Sequence, residues 1–450
     1  MTDQVIREIR IVHWAELPAA ELTKKRGSHA DVTESVTKIL NAVKTEGDKA
    51  LFRFTKQYDR VALNDLEVSD EEWQTGLSQV PAEFFTILED AAENIRRFHE
   101  PQKRHNYILP QENGVVLGKV FRPIARVGMY VPNGTAAYPS TVLMDLIPAR
   151  IAGCREIYMV TPPSRDGCVH PAILAAAKVC GISRIFKVGG AQAVAALAYG
   201  TETIPKVDKI IGPGNAYVAE AKRQVHGLVS TDTVAGPSEV LIIADGKNDP
   251  HVIAADMLAQ AEHDPDASAI LITGDGRFAK SVAEEVKRQL ALLPRAEIAG
   301  ASIQNNGMIV VTDGSMDTAL EIANLIAPEH LELCVDEPMQ YLGRIRNAGS
   351  IFLGRYSPEP LGDYMAGPNH TLPTGGSARF SSPLSVDDFI TASQFTYYTR
   401  DALGKIAPSI VRFAEEEGLQ GHARSVLSRF GGVLPETEHE DQTQGKKKVD

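Results

Sequence analysis

The chain has 450 residues, 43% of them hydrophobic and 23% charged, with a formal net charge of −12. At about 150 residues per domain, that length accommodates two to four folding units with ample core. The acidic balance argues against nucleic acid or an anionic membrane as partner. The scattered cysteines Cys154, Cys168, Cys180 and Cys334, with no CxxC pair, set aside a thiolate zinc site and fit reduced thiols.

The N-terminal MTDQVIREIRIVHW carries charges throughout and lacks the apolar core of a signal peptide. No apolar run reaches the length of a membrane span; the cysteine usage is what predicts a cytoplasmic protein. Before residue 125 the chain reads as mostly helical, in ESVTKILNAVKTEGDKALFRFTKQYD and AEFFTILEDAAENIRRFHEPQK. From Arg126 to Ile243 short apolar runs alternate with helical stretches. RVGMYV, EIYMVT, RIFKVG and VDKIIG predict strands; STVLMDLIPARIAG, HPAILAAAKVCG, AQAVAALAYG and NAYVAEAKRQVHG predict the helices that follow them. Such alternation predicts a parallel sheet covered on both faces.

A second set follows, with strands in EVLIIAD, ASAILITGD and GMIVVTD and a helix in GRFAKSVAEEVKRQLALLP. Asp249-Pro250 supplies an N-cap and a first-turn proline for a helix running to His263. The polar stretch from Gly362 to Ser382, punctuated by glycine and proline, reads as loop. SVDDFITASQFTYYT and DALGKIAPSIVRFAEEEGLQGHARSVLSRF predict a helical C-terminal extension. The charged TEHEDQTQGKKKVD predicts a disordered tail.

Two glycine-rich turns, VGGAQAV (188–194) and IGPGNAYV (211–218), hand a predicted strand to a predicted helix, where free N–H groups can receive an anion. Neither is G-x-G-x-x-G, because Tyr217 stands where the third glycine would be, so spacing alone leaves them as tight turns. Four stretches hold candidate ligands or acid–base groups: Gln260 and His263 in QAEH, Glu329 and His330 in IAPEHLEL, Asp363, Asn369 and His370 in GDYMAGPNH, and Glu417 and His422 in EEEGLQGH. Without thiolates, zinc takes imidazole nitrogen and carboxylate oxygen, which His263, Asp363 and His422 offer; the Gln260 amide is a rarer donor. Taken singly, each histidine is as readily structural, and Glu329-His330 can equally cap a turn after Pro328.

Taken together, GMYVPNGTAAYPSTVLM, VGGAQAVAALAYGTETIPKVDKIIGPGNAYVAEAKRQV, AGPSEVLIIAD, LAQAEHDPDA, APEHLEL, GDYMAGPNHTLPTGGSARFSSPLSV and EEEGLQGHA resemble, in that order, the histidinol dehydrogenase family over roughly residues 30 to 430. The resemblance implies a zinc- and NAD-dependent enzyme that takes L-histidinol through L-histidinaldehyde to L-histidine. By motif, Gln260, His263, Asp363 and His422 match the ligands of one Zn2+ per subunit, and Glu329 and His330 match the catalytic pair. Tyr130, Gln192 and Asn215 match NAD+ contacts. Ser238, Gln260, His263, His330, Asp363, Glu417 and His422 match substrate contacts, with His370 a neighbour.

The implied architecture is α/β, with two incomplete dinucleotide-type parallel-sheet domains and small helical terminal segments. Its expected divisions are an arm at 1–28, a discontinuous domain at 29–128 plus 239–383 carrying metal and catalytic residues, an NAD-contacting domain at 129–238, an extension at 384–435 and a disordered tail at 436–450. The family pattern also implies a homodimer in which the C-terminal extension of each copy brings Glu417 and His422 to the other's site. Three rival readings are a relative on the same scaffold that oxidises another small alcohol such as sulfopropanediol, a zinc hydrolase, and a catalytically silent metal-binding or structural protein, which an intact Glu329-His330 pair argues against. A sulfonate would be repelled by Glu417, and a hydrolase has no need of the two glycine-rich turns.

Overall fold

Runs of β-branched residues bounded by turn formers become the strands, in chain order β1 (Arg10–His13), β2 (Tyr107–Gln111), β3 (Val115–Pro123), β4 (Arg126–Tyr130), β5 (Glu156–Thr161), β6 (Ile185–Lys187), β7 (Lys209–Ile211), β8 (Ser230–Thr231), β9 (Glu239–Ala244), β10 (Ser268–Thr273), β11 (Met308–Val311), β12 (His330–Cys334), β13 (Ser350–Leu353) and β14 (Ile390–Tyr398). The structure is a computed structural model and describes residues 8–22, 31–111, 114–133, 137–232 and 236–434. The tail expected to be disordered, 436–450, and the arm's residues 1–7 and 23–28 lie outside the described residues.

The chain divides into two units, residues 1–103 with 123–389, and residues 104–122 with 390–450. The first unit holds two sheets, β6-β5-β4-β7-β8 and β1-β11-β10-β9-β12-β13. Every pairing within them is parallel, as the strand–helix alternation predicts. Parallel strands need helical crossovers, so both faces are covered. On one face of the five-stranded sheet, Val127, Met129 and Met159 pack with Leu143, Leu146 and Leu174; on the other, Tyr158, Val160 and Phe186 pack with Val194, Leu197 and Leu51. The six-stranded sheet buries Ile242 and Leu271 against Met257, Val282 and Ile303, and Leu241, Ile270 and Leu331 against Leu320 and Ala323.

Residues 33–99, part of the 29–128 stretch that the family resemblance groups with 239–383, lay their apolar faces on the five-stranded half. Helix Thr33–Glu46 packs on Gly190–Tyr199 and Ala216–Val225, and helix Ala82–His99 packs on Pro139–Ala152 and Pro171–Val179. The helix Pro250–Ala261 starts as expected, with the Asp249 side chain accepting from His251 N. It stops at Ala261, so Gln260 sits in its last turn and His263 just beyond it, donating its N–H to Gln260 O at 3.3 Å.

The second unit corrects the expectation of an all-helical extension. SVDDFITASQFTYYT forms a 3-10 turn at Val386–Phe389 and then β14, and β14 joins β3 and β2 in a three-stranded sheet, with β2 and β3 antiparallel. Ile390, Thr391, Phe395, Thr396, Tyr397 and Tyr398 are the β-branched and aromatic residues that favour extended chain. β2 and β3 likewise interrupt the region read as helical. Helices Arg400–Glu416 and Gln420–Leu427 follow as expected and share a small core of Val411, Ala414 and Ala423. Among the described residues, no helix is long and apolar enough to cross a membrane.

One turn in the first unit is sterically closed to any side chain. Gly212, just past β7, has φ of +110°, and a Cβ there would lie 2.0 Å from Tyr130 O at the end of β4. Gly212→Ala should therefore destabilise the protein by about 3 kcal/mol, read as a lower urea midpoint; an unchanged midpoint would contradict the close approach.

Candidate active site

A cavity of about 490 Å³ opens in the first unit where the C-terminal ends of β4 and β7 approach the N-terminal starts of β9 and β12. In the five-stranded sheet the chain leaves β4 toward β5 and β6 on one side and reaches β7 on the other. Strand order reverses at β4/β7, the crevice where parallel sheets receive ligands. Tyr130 ends β4, and its hydroxyl accepts from Gly190 N at 3.2 Å, tying it to the first glycine turn. Asn215 caps helix Ala216–Val225, its side-chain oxygen accepting from Tyr217 N and Val218 N at 3.1 and 3.2 Å. Asn215 lines the cavity, whereas Tyr130 and Gln192 are buried behind it. The 212–215 turn at the N-terminus of helix Ala216–Val225, closed to a Cβ at Gly212, is the part of this wall that fits an anionic ligand such as a dinucleotide phosphate.

On the other side the parallel register pairs His330 with Val240. This puts the Glu239 peptide between the two candidate catalytic side chains. Glu239 N donates to Glu329 Oε2 at 2.8 Å, and Glu239 O lies 3.0 Å from His330 Nδ1. A carbonyl can only accept, so Nδ1 carries the proton and Nε2 keeps its lone pair. Gln260 Oε1 also lies 3.0 Å from Nδ1 and takes a share of that hydrogen, leaving a second lone pair. Burial pushes the His330 imidazole down to about 4, against the pull of the Asp363 carboxylate. It is therefore neutral at pH 7, as a proton acceptor must be. Burial likewise raises Glu329 well above the ordinary carboxylate range, and the Glu239 N–H only partly offsets this.

Metal-type donors sit beside this pair. One ring nitrogen of His263 and one carboxylate oxygen each of Glu359 and Asp363 all lie within 4.8 Å of one another. That spacing and the N/O donor set suit a single ion such as zinc. Glu359 and Asp363 are four apart on helix Glu359–Tyr364 and leave the same face. Glu359 Oε1 is buried without a hydrogen-bond partner and lies 4.0 Å from His330 Nε2. Glu359 was missed in the sequence; its E-x-x-x-D spacing to Asp363 was the available signal. His370 reaches Asp363 Oδ1 with Nδ1 at 3.5 Å and Thr141 Oγ1 with Nε2 at 3.3 Å. Although burial opposes both charges, this pairing lowers Asp363 and raises His370.

Ser238, Gln260, His263, Glu329, His330, Asp363 and His370 thus all line one cavity. Asn369, by contrast, is structural: its side chain donates to Met144 O at 2.6 Å. Glu417 and His422 belong to the second unit, both exposed, at the junction of its two helices.

Parallel sheets, a glycine turn at a strand-order switch and a buried imidazole–carboxylate pair beside clustered N/O donors define an α/β enzyme of the dehydrogenase class. Comparison with known proteins specifies it further. The histidinol dehydrogenase family pattern matches residues 22–430. A histidinol dehydrogenase of Clostridium acetobutylicum is 51% identical over 427 residues, 94% of this chain and 99% of that protein. One from Bacillus thuringiensis is 52% identical over 400 residues, 89% and 93% of the two chains. The crystal structure of histidinol dehydrogenase from Elizabethkingia anophelis superposes with a TM-score of 0.89 at 40% identity, covering 94% of this chain and 99% of that one. The chain belongs to the histidinol dehydrogenase family, NAD-dependent oxidoreductases of histidine biosynthesis that use a metal.

Asp145, on helix Pro139–Ala152, is fully buried behind the cavity and accepts from Thr371 Oγ1 at 2.7 Å. Burial pushes its carboxyl up to about 7, opposed by that hydrogen bond. For an acid so raised, the folded state loses stability as pH climbs from the unfolded value near 4 through about 7. Asp145→Asn removes the ionisation, so its melting temperature should gain on wild type between pH 4 and pH 8. A difference independent of pH would refute this.

Proposed function

We propose that the chain oxidises L-histidinol to L-histidine through L-histidinaldehyde, using two NAD+ and one Zn2+ per subunit, in the cytoplasm. The observation that carries the reading is the convergence of Gln260, His263, Glu329, His330 and Asp363 on one cavity. Gln260, His263 and Asp363 would hold the ion together with His422, and Glu359 lies within the same donor set. Tyr130, Gln192 and Asn215 would serve NAD+, Asn215 directly and the other two by shaping the turns. Ser238, His330, Glu417 and His370 complete the substrate's surroundings.

When bound, NAD+ would accept hydride, and a zinc ion held by Gln260, His263 and Asp363 would supply a Lewis-acid anchor for the substrate. His330 Nε2 takes the hydroxyl proton in the first oxidation, while its Nδ1–H stays on Glu239 O. In the second oxidation the aldehyde must first add water. Glu329, raised by burial into a stronger base, removes a proton from that water, giving a hydrate that can lose the second hydride. The first oxidation therefore releases one hydride and one proton, and the second, which consumes a water and ends in a carboxylate, releases one hydride and two protons. Glu417 would meet the substrate's ammonium as a charge-assisted contact.

The division of labour is testable by counting NADH separately from L-histidinol and from added histidinaldehyde. Glu329→Gln should slow aldehyde oxidation by roughly 100-fold or more and the first hydride transfer only a few-fold. In wild type the aldehyde step should rise with pH through the elevated Glu329 value, a limb the variant should lack. Equal losses in both half-reactions would reject the assignment.

Family membership also supports a homodimer in which Glu417 and His422 of each copy complete the other's site. Mixing inactive His422→Ala with inactive His263→Ala subunits should then restore part of the activity, since one of the two sites in a mixed dimer regains all its ligands. Verified mixed dimers with no activity would count against the exchange.

A further inference from the structure

Lys222 and Asp232 form an ion pair at 2.6 Å with side chains only 4% and 5% exposed. Neither motif nor family resemblance gives either residue a role. Burying two charges is costly unless their remaining hydrogen-bonding capacity is used. Here it is used on one residue, Gly212. Asp232 Oδ2 accepts from Gly212 N at 2.7 Å, and Lys222 Nζ donates to Gly212 O.

The topology explains why a side-chain clamp is needed there. β7 and β8 pair in parallel only through Lys209–Ser230 and Ile210–Thr231. Asp232 N still donates to Ile210 O at 3.2 Å. Beyond that bond the Asp232 carboxylate, rather than a backbone carbonyl, accepts from Gly212 N and extends the ladder. Lys222 arrives from the following helix, Ala216–Val225, and closes the other side of the same glycine. Gly212 itself is pressed against Tyr130 O at the end of β4. Three neighbours therefore fix the turn 212–215 before its Asn215 end reaches the cavity, where Gly212, Asn215, Lys222 and Asp232 all contribute to the wall.

We infer that the Lys222–Asp232 pair is a positioning device for the NAD-binding turn, holding Gly212 by both its N–H and its carbonyl so that the turn is preorganised before the cofactor arrives. This rests on the proposed contact between Asn215 and NAD+. Preorganisation improves affinity by removing the ordering cost of binding. Loss of the pair should therefore appear in the cofactor's KM and leave the chemical step little changed at saturation.

The test uses the full-length zinc-loaded enzyme with L-histidinol saturating. Lys222→Met alone strands a buried carboxylate, so the double variant Lys222→Met/Asp232→Asn carries the measurement. Its KM for NAD+ should rise about tenfold, with kcat at saturating NAD+ and the KM for L-histidinol each within about twofold of wild type. Lys222→Gln/Asp232→Asn, which buries no charge and offers an amide acceptor for Gly212 N–H and an amide donor for its carbonyl, should give a smaller rise, a second reading if the first double variant does not fold. Asn215→Ala run in parallel separates the premises. If Asn215→Ala raises the KM for NAD+ and the clamp variants lower only the melting temperature, the pair is structural and the inference is overturned. If none of them moves the KM for NAD+, the assignment of the turn to NAD+ fails and the inference falls with it.

Discussion

A single peptide residue holds both halves of the proposed acid–base pair. Glu239 starts β9, and its N–H and C=O point to Glu329 and His330, which precede and start the neighbouring strand β12. Because the two strands run parallel in a set register, the carboxylate and the imidazole receive fixed orientations from backbone rather than from flexible side chains. The same contact decides protonation: the carbonyl holds the imidazole proton on Nδ1 and leaves Nε2 basic. Burial then does the rest, lowering the histidine and raising the glutamate. Two residues adjacent in sequence are thereby suited to different proton transfers by one environment.

The cavity lies between strand ends of opposite polarity. The five-stranded sheet contributes its C-terminal edge at the β4/β7 reversal, the usual place for a dinucleotide. The six-stranded sheet contributes its N-terminal edge, because β9 and β12 begin there and the helix carrying Gln260 ends there. Donor atoms and acid–base groups thus come from one sheet, and backbone N–H groups for an anion from the other. Contacts from the 362–384 segment link the two: Asn369 to Met144 O, Thr371 to Asp145 and His370 to Thr141. A reaction that moves hydride between a held substrate and a held cofactor needs such a fixed separation.

Most strands and helices from 126 to 311 were legible because apolar β-branched runs, caps and glycine turns agree there on one answer, the helix Ala296–Asn306 and the two-residue β8 excepted. The Asp249-Pro250 cap is the plainest example, starting its helix where the sequence places it. The segment SVDDFITASQFTYYT was misread because β14 is mostly exposed on both faces, with no apolar alternation to mark it, and owes its form to pairing with β3. The packing of residues 33–99 on the five-stranded sheet was also beyond reach, since an amphipathic helix shows that it has a buried face but not what covers it.

The sequence did not mark β1, β8, β12 and β13. By itself it determined the central strands and most of the helices of the two parallel sheets, the chemical identity of the candidate ligands and acid–base groups, and, through long motifs, the family. Those are local properties, carried by side-chain chemistry, propensity and capping over a few residues. Only the tertiary structure decided that His263, Glu359 and Asp363 share one donor cluster, that His330 is neutral with Nε2 free, and that Lys222 and Asp232 grip Gly212. Each depends on strand register and on the exclusion of water, which arise when distant segments pack together and which no stretch of chain contains alone.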